Sequence, residues 1–231
     1  MNVEALEDRA LEFALAATVS GYPAPSFHQR LGTLLDLRPA PWAQPLLDGS
    51  TTKEGLAALQ ASFLSHFEVG ASRLPLHETE YGRTAGMSKG NDLADLAGFY
   101  RAYSLELSKQ EGDHEVYDHL SVELEFYTSL LARHALVTQA GDAEGIEVVL
   151  ETRKAFLRDH LGRLAQALTK HAQLDVESAW APALAATVAL VTNECEALGV
   201  TPPPLDYVLT PLTDEVACAV SLNPAGGRAA P

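Results

Sequence analysis

Apolar residues recur at three- and four-residue intervals along most of the chain, and runs that alternate every second residue are nearly absent. This is the periodicity of helices that bury one face. Leu6, Ala10, Phe13 and Ala17 predict a helix over 3–19, ended by Gly21, Pro23 and Pro25. Ser26 is placed to cap a second helix running through Leu37, and the proline-rich stretch 38–50 reads as a loop. Thr51 and Glu54 have capping-box spacing before a helix carrying Leu56, Leu59, Phe63 and Phe67, with Gly70 at its end. Asp92 is the predicted start of the next helix, with Leu93, Leu96, Tyr100, Tyr103 and Leu107 on one face. A helix follows from about Asp118 to Val137. Asp142 then caps a long one to about His171, with Ile146, Val149, Phe156, Leu157, Leu161, Leu164 and Leu168 inward. The last helix covers 176–198, with Gly199 as the residue after its end. The fold class is therefore all-α, a single-domain helical bundle over 1–222. The tail 223–231 (NPAGGRAAP) has little to bury and is expected to be disordered.

Two stretches depart from this regular pattern. Residues 71–91 are rich in glycine and short polar side chains, and a loop of that length in a small domain is more often functional than idle. YDHLSVELEF, residues 117–126, sets Asp118, His119, Glu123 and Glu125 beside the apolar positions of its own helix. The bland roles are clear: Asp118 as N-cap, His119 as a locally hydrogen-bonded histidine, Glu125 as part of a solvated face.

Composition narrows the field. Of 231 residues, 31 are acidic and 16 basic, a net charge of −15. Such a chain repels nucleic acid and anionic membranes and attracts basic partners. Two cysteines, Cys195 and Cys218, lack any metal or redox spacing, in keeping with a reducing compartment. The N-terminus is acidic and amphipathic, unlike a secretory signal, and the most apolar stretch, near 179–191, is broken by Trp180 and Pro182. These features predict a cytoplasmic protein.

Catalytic motifs are scarce. GxSxG, HExxH, a Walker loop and GxGxxG are all absent. His119 and Glu123, four apart, share a helix face. Asp159 and His160 repeat the DHL of 118–120 on another helix, so one alternative is a metal-dependent helical-bundle enzyme using Asp118, His119 and Glu123.

PLHETEYG (75–82), DLAGFYRAYSLEL (95–107), YDHLSVELEF (117–126) and FLRDHLGRL (156–164) occur in this order. Together they resemble the TorD/DmsD/NarJ family of molybdoenzyme maturation chaperones, with the likeness strongest to TorD-like members that accompany oxidoreductases of the DMSO reductase type. The likeness spans roughly 50–170. Tyr117 stands where the family usually has proline, and Tyr127 where methionine is common. The resemblance implies a non-catalytic, cofactor-free role: binding the twin-arginine signal peptide and apoprotein of a molybdoenzyme catalytic subunit until its cofactor is inserted. The chaperone is a monomer or a domain-swapped dimer in this view.

Carried over position by position, Asp118 and His119 match the signal-binding pair, and Phe67, Glu78, Tyr81 and Gly82 match the loop lining the same groove. A basic, then apolar, peptide needs carboxylates beside an apolar floor. Asp118, helped by Glu123, is the expected arginine contact, with Leu120, Tyr100 and Phe67 as the floor. His119 is also a candidate for tuning release between pH 6 and 8.

Overall fold

Helix ends in this protein are written by local chemistry, and most fall near the predicted positions. The computed structural model describes residues 2–69, 74–81, 89–106, 117–171 and 178–203. Among these, all regular elements are helical: α1 (Val3–Ser20), α2 (Phe27–Leu37), α3 (Gln44–Gly49), α4 (Lys53–Phe63), α5 (Lys89–Ala102), α6 (Leu120–Ala140), α7 (Ala143–Phe156), α8 (Gly162–His171) and α9 (Trp180–Ala197). Asn2 caps α1 by accepting the Ala5 amide at 2.8 Å, and Asp142 caps α7 by accepting that of Gly145 at 2.9 Å. Gly199 adopts φ 64° after α9, letting Val200 donate back to the Cys195 carbonyl at 2.8 Å. That is the left-handed ending glycine permits without steric cost.

Several boundaries differ from the sequence reading. The stretch 38–50 is not a loop: Pro41–Ala43 forms a 3₁₀ turn that leads into α3. Both Pro41 and Pro45 sit in first turns, where a missing N–H costs nothing. Thr52, not Thr51, caps α4, its hydroxyl accepting the Gly55 amide at 3.0 Å, so there is no capping box with Glu54. Gly70 lies outside the described residues. Helix α5 starts at Lys89 rather than Asp92 and closes at Ala102, before Tyr103. The predicted helix from Asp142 to His171 carries a π-helical turn at Leu157–Leu161 that separates α7 from α8. A second such turn, Leu64–Glu68, extends α4. The tail 223–231 and Leu107 also fall outside the described residues.

Helix α6 is the hub. It packs most extensively on α1 and next on α7, while α1 also meets α9 and α2, and α8 lies on α9. Phe13 of α1 and Tyr127 of α6 bring their rings to 4.6 Å. A buried polar knot pins these helices. Arg153 of α7 pairs with Glu194 of α9, donates to the Tyr127 hydroxyl at 3.2 Å and lies 2.6 Å from His134 Nδ1. Tyr127 also donates to Glu194 at 2.8 Å, and Arg9 of α1 reaches the second Glu194 oxygen at 3.1 Å. Cys195 is buried next to this knot, and burial pushes its thiol up to about 11. No helix among the described residues is long and apolar enough to cross a membrane.

Candidate functional site

The first turn of α6 is built by an unexpected cap. His119, not Asp118, is the N-cap residue: its backbone is extended and its imidazole Nδ1 accepts the Ser121 amide at 3.2 Å, with Ser121 Oγ at 2.7 Å. Asp118 is thereby released for another task. The segment 74–81 crosses in front of the α6 start in a short antiparallel pairing. Leu120 donates to Leu76 O at 2.7 Å and Glu78 donates to Asp118 O at 2.9 Å, around a His77–His119 bridge.

This pairing turns the Asp118 carboxylate inward, where it is fully buried. It accepts the Thr79 amide at 3.2 Å and the Thr79 hydroxyl, and faces His77 Nδ1 at 3.4 Å. Burial works against its charge, but the bonds from His77 and Thr79 outweigh it and hold the carboxyl down at about 2. His119 is buried too. Desolvation, with His77 alongside, lowers its imidazole to about 3. It therefore stays neutral from pH 6 to 8, and the expected role in pH-tuned release is corrected: the ring is a structural cap.

Glu123 lies one turn further on, fully buried, and neither carboxylate oxygen finds a hydrogen-bond partner among the described residues. Burial, then the neighbouring Glu78 and Asp118, keep its carboxyl well above the usual range, only partly opposed by Arg163. The fold thus favours the protonated form of this side chain more than water does. Glu78 is buried above it and pairs with His160 Nδ1 at 2.9 Å, while His160 Nε2 meets Asp95 at 3.2 Å. Burial opposes the charge on His160, but the Glu78 and Asp95 contacts prevail and raise its pKa. This bridge ties the 78–80 turn to α5 and to the π-helical turn before α8.

A Glu123→Gln variant keeps the neutral shape and removes the ionisation. Because the folded pKa is raised, the wild type is expected to lose stability relative to the variant as pH climbs above the ordinary 4.5. The loss should approach about 1.4 kcal/mol per pH unit for one proton, and below that pH the gap should be constant. Chemical unfolding between pH 4 and 8 measures it; a flat difference would mean that Glu123 ionises as easily folded as unfolded.

The remaining predicted residues divide. Tyr100 is buried, donates to Tyr117 O at 2.7 Å and packs its ring, tilted by 55°, against Phe126 at 4.8 Å. Beside it opens a groove of about 140 Å³, with Tyr100, Val122 and Phe126 as floor and Glu106 and Glu125 at the rim. Leu120 is core, and Phe67 packs edge-on against Phe63 and Trp180, at 4.9 and 6.0 Å, in the aromatic cluster under α9. Tyr81 is buried and donates to Pro75 O. Gly82 lies outside the described residues. Glu125 is half-exposed and pairs with Arg30.

The structure does not assemble Asp118, His119 and Glu123 into one ligand set, since Asp118 is spent on Thr79 and His77. Asp159 pairs with Arg158, and His160 with Glu78 and Asp95. Sequence reading missed Thr79 and His77. A signal was present, because both fall within the PLHETEYG segment that was singled out.

No curated protein matches the chain. The nitrate reductase delta subunit family does, over residues 24–170, well over half of the 231 residues. With the order of motifs and the all-helical fold that match agrees: the chain belongs to the nitrate reductase delta subunit family, the NarJ/TorD type of molybdoenzyme maturation chaperone.

Proposed function

We propose that the protein binds the twin-arginine signal peptide of a molybdoenzyme catalytic subunit in the cytoplasm. In this reading it holds the apoprotein until the molybdopterin cofactor is inserted, prevents premature export, and catalyses no reaction itself. The observation that carries this reading is the apolar groove over Tyr100, Val122 and Phe126, rimmed by Glu106 and Glu125, with Tyr100 within electrostatic reach of the buried acids Asp118 and Glu78. A signal peptide is basic at one end and apolar next to it, and this surface offers both complements. Arg30 and Glu125 form an exposed pair, which contributes little, so an incoming guanidinium can take the carboxylate at small cost. Asp118 lies one layer down, beneath Thr79, and meets a peptide arginine only when the 74–81 segment lifts. The two carboxylates thus suit successive stages of one binding event.

Calorimetric titration with twin-arginine signal peptides of molybdoenzyme subunits tests this. Micromolar or tighter binding is expected, falling at least tenfold when both arginines are replaced by lysine, because lysine lacks the planar fork that grips a carboxylate. Absence of binding to any such peptide would sink the reading.

A further inference from the structure

Three side chains from different segments converge where the 74–81 segment crosses the start of α6. Glu68 ends the π-helical turn after α4, His77 lies in the 74–81 segment, and His119 caps α6. One potential ligand atom from each lies within 4.8 Å of the others. The two imidazole rings stand edge to face with centroids 4.8 Å apart, held at that spacing by the backbone bridge between their residues. Glu68 and His77 are half-buried and His119 is buried, so this is not a solvated acidic patch. Glu68 forms no ion pair among the described residues.

We propose that Glu68, His77 and His119 bind a divalent transition-metal ion of the zinc class. Two imidazoles and one carboxylate are the donor set of an open zinc site, with a fourth position left for water or an external ligand. Ligands about 2.1 Å from a tetrahedral ion stand about 3.4 Å apart, so the three groups need only close in by side-chain rotation. The surroundings favour this. His77 Nδ1 points at the Asp118 carboxylate at 3.4 Å, the outer hydrogen bond that typically orients a metal-bound histidine, and Nε2 is left for the ion. His119 Nδ1 lies 2.7 Å from Ser121 Oγ. On metal binding, its proton moves from Nε2 to Nδ1 and is donated to that hydroxyl, which exposes the Nε2 lone pair at the cost of the cap bond that Nδ1 accepts from the Ser121 amide.

The ion would staple the end of α4 and the 74–81 segment to the start of α6, closing the layer over Asp118. That it would oppose peptide entry rests on the function proposed above; the site itself does not.

The test uses the full chain freed of metal by a chelator and titrated with Zn²⁺ alone, followed by Co²⁺ for its visible spectrum. One equivalent bound at micromolar or tighter affinity is expected, with the absorption of a tetrahedral Co²⁺ site. Glu68→Gln and His77→Gln should each weaken binding at least tenfold and abolish the metal-dependent rise in melting temperature, with far-UV circular dichroism unchanged. Asp118→Asn should weaken it less, by loosening His77. Absence of stoichiometric binding, or binding that survives both Glu68→Gln and His77→Gln, overturns the proposal. Neither readout involves a peptide, so failure here leaves the signal-peptide reading standing, and failure there leaves the metal site standing.

Discussion

Arg153→Ala is expected to destabilise the fold by about 3–5 kcal/mol, because it strands a buried carboxylate. Arg153 and Glu194 are both essentially inaccessible, and the arginine on α7 gathers contacts from α6 and α9. With Arg153 gone, Glu194 keeps the Tyr127 hydroxyl and the partly exposed Arg9, too little to repay its lost hydration. His134 and Tyr127 lose a partner as well. The double variant Arg153→Met, Glu194→Gln should recover much of the loss, since the penalty lies in the uncompensated charge rather than in missing attraction. Urea unfolding of the wild type and the two variants measures both effects through the midpoint at constant slope. A single-variant loss below about 1 kcal/mol would place the pair in the weak class of exposed salt bridges and contradict its burial.

Asp118→Ala should cost about 2–4 kcal/mol and abolish signal-peptide binding. The stability loss follows from leaving the buried Thr79 amide and hydroxyl without an acceptor, so that only the backbone pairing still holds the 74–81 segment to α6. The charge also has a pH signature. The folded carboxyl is held at about 2, below its ordinary 3.8. Its contribution is therefore complete above 3.8 and is lost as pH falls toward 2. Asp118→Asn retains an acceptor for Thr79 and should lose less stability, while that acid limb flattens. Peptide binding then separates two roles. If the carboxylate meets a peptide arginine, Asp118→Asn binds at least tenfold more weakly than the wild type although it folds well. Binding equal to the wild type would make Asp118 a positioning residue that acts only through Thr79.

The position of Arg153 shows how far a sequence can be read. It lies four residues after Val149 and three before Phe156, on the apolar stripe of its own helix, so its burial was legible. Glu123 is similar, three after Leu120 and four before Tyr127. What could not be read was the partner of Arg153, because Glu194 is 41 residues away and nothing local links them. The capping of α6 was misassigned for a related reason. Local preference favours Asp118 as a cap, but pairing with a segment some 40 residues upstream turns that carboxylate inward and leaves His119 to take the place. In the 38–50 stretch Pro41 and Pro45 read as breakers, but their first-turn positions make them starters.

Periodicity, caps and composition determined the helices, most of their inward faces, the acidic character and the motif order that marks the family. These follow from interactions within a turn or two of the chain, which any reader of the sequence can count. Tertiary structure alone decided that Asp118 is held by Thr79, that Glu123 is buried without a hydrogen-bond partner among the described residues, and that Glu68, His77 and His119 converge. Each of these depends on which distant segment crosses the start of α6 and how closely. That crossing is set by the packing of the whole bundle around α6, which buries Glu123 without a partner and gives Asp118 the bonds from Thr79 and His77.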